Sequence, residues 1–209
     1  MGHYSLWTVF QALQLEAPTI IEPNRSHAVD FNEKVPFRIR NDFAFPLASQ
    51  VRFRYEAKGN RPAITLFWYD GGMRPAVPEV LVKQNKELPQ EGMMFVGDAG
   101  IILGGFHAEN AQLISGKRAG ESLKTPPSDN SPDHYIPKNF IEGIKNKTQC
   151  AGSLRDTWPL TETINLYAVA LRTGRTLYYD AANMKITNVP EANAYLSREY
   201  RKGWEPDHI

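Results

Sequence analysis

TWPLTETINLYAVALRTGRTLYYDAANMKITNVPEANAYLSREYRKGW, residues 157–204, is the stretch that decides how this chain folds. Leu160, Ile164, Tyr167 and Leu171 recur at helical spacing, which predicts a helix with one buried stripe. Pro159 suits a first helical turn, where a missing N–H costs nothing, and Gly174 stands where a left-handed C-cap ends a helix. Thr176 to Tyr179 reads as a strand of β-branched and aromatic residues, with Asp180 to Met184 as its turn. Asn188 and Pro190 open a second predicted helix that carries Ala192, Tyr195, Leu196 and Tyr200. At its end Gly203 lets the chain turn, so Trp204 is expected to fold back and clamp the domain. Truncating a large buried aromatic of that kind to alanine costs about 3 kcal/mol.

Working outward, Ser5 to Leu15 places Leu6, Phe10 and Leu13 on one helical face. Pro18 and Pro23 bracket a short strand at Thr19-Ile20-Ile21. From Val35 to Ala57 the chain alternates: Phe37, Ile39, Val51, Phe53 and Tyr55 face one way, and Arg38, Arg40, Arg52 and Arg54 the other. Period two with polar partners is the signature of a half-buried antiparallel sheet. Asp30, Asp42 and Glu56 lie among the arginines, so they read as the solvent side of the sheet, not as a polyanion site. Ala63–Tyr69, Met93–Val96 and Ile101–Leu103 are further strands, Leu113 and Ile114 close the set, and Phe140–Lys147 is a helix. Gly97-Asp98-Ala99-Gly100 lies between two apolar β-like runs and predicts a hairpin turn. Lys117 to Asp133 is one long irregular surface loop. The order predicts an α+β fold: an open, mostly antiparallel β-sheet with helices packed on one face, in a single domain spanning residues 1–209.

The chain has 209 residues, with 24 Lys plus Arg against 23 Asp plus Glu and a net charge of +1. That balance gives no electrostatic drive toward nucleic acid or an anionic membrane, and neither is expected as a partner. No apolar run approaches the roughly 20 residues that span a bilayer. Histidines 3, 27, 107, 134 and 208 are scattered and Cys150 stands alone, so neither a disulfide nor a metal site is expected. There is no G-x-S-x-G elbow for a hydrolase.

Three motifs point to a family. PLTETINLYAVALRTG at 159–174, LYYD at 177–180 and TNVPEANAYLSREYRKGW at 187–204 resemble the closing segment of the glucose–fructose oxidoreductase / inositol dehydrogenase / MocA (Gfo/Idh/MocA) oxidoreductases, in the branch with the bacterial-type C-terminal domain. LFWYDGG at 66–72 followed by VGDAG at 96–100 is a second match. MGHYSLWTVFQALQLEAP at 1–18 is a third, similar to the helix entry after that family's active-site histidine. The resemblance implies a C-terminal domain like that of dihydrodipicolinate reductase, which binds substrate and mediates homo-oligomer contact through its sheet face. The cofactor it implies is NAD or NADP, bound mainly by a dinucleotide-binding domain. No G-x-G-x-x-G occurs in these 209 residues, so that domain and its cofactor-binding residues are expected outside this sequence.

The resemblance also implies site residues. The family's Asp-x-x-x-His motif aligns with its Asp before Met1, with Tyr4 at the His position and His3 one residue earlier. His3 and Tyr4 are therefore the catalytic candidates for exchanging a proton with a substrate hydroxyl, a task suited to a neutral imidazole near pH 7. Capping or packing is the equally weighted alternative for both. Trp68, Tyr69 and Asp70 end a strand before Gly71-Gly72, and aromatic faces beside a carboxylate suit a sugar or polyol wall. His134 and Tyr135 lie in the loop that resembles the family's substrate side. The expected function is a substrate-binding and oligomerisation domain of an NAD(P)-dependent oxidoreductase acting on a sugar or polyol, inactive alone, with a cytoplasmic location favoured and export left open. The alternative is a stand-alone non-catalytic carbohydrate-binding or assembly subunit. The DNA just upstream of Met1 separates the two.

Overall fold

The computed structural model describes residues 2–39, 44–123, 136–150 and 152–205, with side chains 136–139 excluded. The chain forms two compact units and passes between them at Leu15, Arg74 and Thr161. One unit holds residues 1–15 and 75–161, the other residues 16–74 and 162–209.

The first unit contains α1 (Gly2–Leu13), α2 (Glu79–Lys83), α3 (Ile136–Asn146) and a three-stranded antiparallel sheet of β6 (Met93–Gly97), β7 (Gly100–Gly104) and β8 (Gln112–Leu113). Leu6 and Phe10 of α1 are buried, as their helical spacing predicts, and Val9 is buried with them, whereas Leu13 at the helix end is only half-buried. Gly97 pairs with Gly100 across the β6–β7 turn, so the glycine run is the hairpin expected of it. In α3 the apolar side made by Phe140, Ile141 and Ile144 is exposed. Helix α4 (Leu154–Thr173) begins in this unit and ends in the second. It starts five residues before Pro159, so Pro159 lies inside the helix and not in its first turn. The reason is Ser153, whose Oγ accepts the Asp156 N–H at 3.3 Å and caps the helix upstream.

The second unit carries a five-stranded antiparallel sheet in the order β10-β9-β1-β4-β5. Its strands are β1 (Ile20–Arg25), β4 (Ser49–Tyr55), β5 (Ile64–Asp70), β9 (Leu177–Asp180) and β10 (Lys185–Ile186). Strand β1 runs through Pro23 instead of stopping there. Strand β9 pairs with β1 only at Ile20 and Ile21, so at Pro23 the strand has a neighbour on one side, where a missing N–H is tolerated. Strand β4 alternates strictly: Ser49, Val51, Phe53 and Tyr55 are buried, and Gln50, Arg52 and Arg54 face the other way. The end of α4 lies on the buried face. The Tyr55 hydroxyl meets Thr163 Oγ1 at 3.4 Å, the Tyr179 hydroxyl donates to Glu162 at 2.5 Å, and Arg25 donates to the Leu171 carbonyl. Between sheet and helix sit Ile21, Val51, Phe53, Leu177 and Ile186 with Leu166, Ala170 and Leu171, all essentially without exposure. Each large side chain buried there is worth about 1.5–3 kcal/mol. The fold is α+β with antiparallel sheets, as expected.

Four further expectations fail. Among the described residues the single sheet is three sheets, because β6, β7 and β8 pair among themselves and β2 (Val29–Asn32) and β3 (Val35–Arg38) pair with each other. Phe37 and Ile39 therefore do not join Val51, Phe53 and Tyr55 in the core, and both are exposed. The second closing helix is a single 3-10 stretch, Pro190–Tyr195, after which the chain is irregular. Asn193 explains the early stop: its side chain accepts from Ile186 N–H and donates to the Ile186 and Pro190 carbonyls, each within 3.0 Å. Trp204 does not clamp the domain. Gly203 does turn the chain, with φ of 83°, yet the indole is 68% exposed, with the Arg201 guanidinium 4.8 Å over its ring.

Candidate functional site at the end of strand β5

Strand β5 ends in Trp68-Tyr69-Asp70 and turns at Gly71, whose φ is 63°. A Cβ on Gly71 would stand 2.0 Å from the Leu47 carbonyl oxygen and 2.4 Å from Ala48 Cα, so only glycine fits against that backbone. The turn brings Asp70 opposite Ser49 in the β4–β5 register. Four donors converge on the Asp70 carboxylate. Oδ1 accepts the Ser49 N–H at 2.7 Å; Oδ2 accepts the Ser49 hydroxyl at 2.9 Å, the Trp68 indole N–H at 3.1 Å and the Tyr167 hydroxyl at 2.6 Å. A carboxylate has about four lone-pair sites, and here four donors share them.

The cluster ties the end of β5 to the start of β4 and to α4 through a partly buried network, with Ser49 fully buried. Burial, and then the hydrogen bond given to Asp70, push the Tyr167 phenol up to about 12, so it stays a donor at physiological pH. Chemically, the arrangement holds a carboxylate and a phenol in fixed orientation beside the partly exposed Trp68 ring.

Tyr69 is not part of this cluster. Strand alternation places it on the opposite face, cross-strand from Gln50, with its ring stacked on Phe67 at 6.2 Å. That face also holds Glu22, which accepts from Arg52 and, at 3.1 Å, from Arg54. The Arg52 hydrogen bond is the chief reason the Glu22 carboxyl sits below its ordinary value. Phe67 and Tyr178 are exposed on the same face. So the expected wall of Trp68, Tyr69 and Asp70 is divided between the two sides of one sheet.

His3 and Tyr4 lie in the first turn of α1, both exposed, with His3 Nε2 3.4 Å from Thr161 Oγ1. His134 and Tyr135 fall outside the described residues. Sequence reasoning passed over Ser49 and Tyr167. Tyr167 was visible as the one hydroxyl-bearing member of the Leu160–Ile164–Tyr167–Leu171 stripe, whereas Ser49 carried no signal before its pairing with Asp70 was known.

A dinucleotide needs glycines leading from a strand into a helix N-terminus. The Gly97–Gly100 turn leads from one antiparallel strand into the next, so these residues do not fit a nicotinamide dinucleotide. Among the described residues no group of three His, Cys, Asp or Glu side chains is placed to hold a metal ion, and no helix is long and apolar enough to cross a membrane.

The family model of the Gfo/Idh/MocA oxidoreductases described as "Oxidoreductase family, C-terminal alpha/beta domain" matches residues 78–206. That stretch runs from α2 through the closing tail and includes Tyr167, while Ser49, Trp68 and Asp70 precede it. No curated protein and no solved structure matches the chain.

Proposed function

The chain belongs to the Gfo/Idh/MocA oxidoreductase family through its C-terminal alpha/beta domain, and we propose that it serves as the substrate-side and assembly domain of an NAD(P)-dependent enzyme acting on a sugar or polyol. The family match over residues 78–206 is the observation that carries this reading. Supporting it, Trp68 offers a partly exposed ring beside an oriented Asp70–Tyr167 pair, chemistry that suits stacking on sugar C–H faces. His3 and Tyr4, at the solvent-exposed start of α1, are the proposed groups for proton exchange with a substrate hydroxyl. The nicotinamide would be held by a domain outside this sequence, so no redox step is assigned to these residues. The sheet face bearing Phe67, Tyr69 and Tyr178 is the proposed surface for homo-oligomer contact.

Titrating the purified chain with NADH, NADPH and a panel of sugars and polyols, by calorimetry and by dehydrogenase assay, tests this. The expected result is no turnover, no tight cofactor binding, and weak sugar binding that Trp68→Ala abolishes. Stoichiometric micromolar binding of either nucleotide would overturn the division of labour.

A further inference from the structure

A threonine inside a helix ordinarily gives its hydroxyl proton to a carbonyl of the preceding turn. Two threonines of α4 do so: Thr157 donates to the Ser153 carbonyl at 2.9 Å, and Thr173 to the Val169 carbonyl at 3.0 Å. Thr161 lies between them on the same helix, and its hydroxyl is turned toward a different one. Its Oγ1 is 3.4 Å from Nε2 of His3, in the first turn of α1 and 158 positions away in the chain. Both residues belong to the same compact unit. A separation of 3.4 Å is long for a hydrogen bond, as catalytic contacts commonly are before substrate binds. The contact engages Nε2 of an exposed ring and leaves Nδ1 for another partner. Tyr4, the next residue, points roughly 100° further round the helix and is 66% exposed.

We propose that Thr161 is the positioning residue of His3: its hydroxyl oxygen accepts the Nε2–H, which makes Nδ1 the nitrogen that exchanges a proton with substrate. Such a role for Thr161 presupposes the proton exchange proposed above, and gives it to His3 rather than Tyr4. A neutral imidazole carries its proton on one nitrogen and a lone pair on the other, so the partner of one sets the role of the other. Were the Thr161 hydroxyl to donate to Nε2, Nδ1 would already hold the proton and could not take a second. With Nε2–H donating, Nδ1 is bare. The substrate O–H bond then breaks as the N–H bond forms at Nδ1, and the ring becomes a cation. Nε2 carries its hydrogen before and after this step, so Oγ1 accepts throughout and nothing at Thr161 has to turn over. A partner that is already oriented costs no reorganisation at the moment of transfer. A hydroxyl suits the task, because its oxygen can accept while its own proton is given to water.

Nitrogen NMR of the full chain, labelled with 15N in its histidine rings, tests it. Spectra are taken at about pH 8.5, well above the ordinary imidazole value of about 6.5, so that the rings are neutral. The His3 signals are identified by their loss in His3→Gln. In the wild type Nδ1 of His3 is expected to resonate as a bare nitrogen and Nε2 as a protonated one. Thr161→Val keeps the shape of the side chain and removes the hydroxyl, so the two tautomers should mix and the two shifts converge. Thr161→Ser returns the hydroxyl and should restore the wild-type pattern. The His27 and His107 signals and the far-UV circular dichroism spectrum should be the same in all three proteins. A proton on Nδ1 in the wild type overturns the assignment without recourse to any variant. So does a Thr161→Val protein whose His3 shifts are unchanged, or a serine variant that fails to restore them. The readout needs neither substrate nor nucleotide, so it is separate from the cofactor titration above: nucleotide bound by this chain would sink the division of labour and leave the His3 tautomer where it was.

Discussion

Asp70→Asn changes one atom, yet it should destabilise the protein by about 2 kcal/mol. Each carboxylate oxygen faces one partner that can only donate: Oδ1 faces the Ser49 backbone N–H, and Oδ2 faces the Trp68 indole N–H. The Ser49 and Tyr167 hydroxyls can rotate to accept, but those two N–H groups cannot. Whichever way an asparagine amide is turned, its NH2 therefore meets an N–H. If it lies at Oδ1, the fully buried Ser49 loses its acceptor; if it lies at Oδ2, Trp68 loses its own. A buried donor left without a partner costs about 1–3 kcal/mol, and partial exposure of the cluster keeps the figure from the top of that range. Urea unfolding followed by circular dichroism should show the midpoint lowered by about 1 M with an unchanged slope. Trp68→Phe supplies the internal control. On the Asp70→Asn background it removes the donor-only partner at Oδ2, lets the amide settle there, and should cost about 1 kcal/mol less than in the wild type. An Asp70→Asn protein within about 0.5 kcal/mol of wild type, or strict additivity with Trp68→Phe, would refute the argument that these four donors share a saturated carboxylate.

The tyrosines give an alkaline prediction. Tyr167 titrates near 12 in the folded state against an ordinary value of 10.0, and burial also raises Tyr55 and Tyr179. Their contribution is complete below pH 10 and is lost as pH rises toward the folded value, so urea midpoints should fall between about pH 10 and 12. Tyr167→Phe should flatten part of that fall. Glu22 acts in the opposite direction: its folded pKa lies below 4.5, so its contribution is present above that pH and lost below it. The melting-temperature gap between wild type and Glu22→Gln should accordingly close as buffers are taken below about pH 4.5. Trp204→Ala should change stability by no more than about 0.5 kcal/mol, because the exposed indole buries little; a loss near 3 kcal/mol in calorimetry would restore the clamp.

Much of the fold was legible in local pattern. The strict alternation of β4, the helical stripes of α1 and α4, the Gly97–Gly100 hairpin and Gly174 at the end of α4 each follow from side-chain period or backbone freedom within a few residues. The family was legible too, since the motif-bearing segment from Pro159 to Trp204 lies inside the matched region. Even the division of Trp68 and Asp70 from Tyr69 was implicit, because period two sends neighbours to opposite faces, and grouping them as one wall runs against that rule. Alternation cannot say which face meets a helix, which strand is the partner, or whether an apolar ribbon is covered at all. Phe37 and Phe53 have the same local pattern. Phe53 lies in the core because β4 pairs with β1 and β5 beneath α4, and Phe37 lies in solvent because β3 pairs with β2, outside that sheet. The same holds for Asp70, whose four donors come from positions 49, 68 and 167. Burial and hydrogen-bond saturation are set by contacts across more than a hundred residues of chain, and those exist only once the sheet and helix have packed.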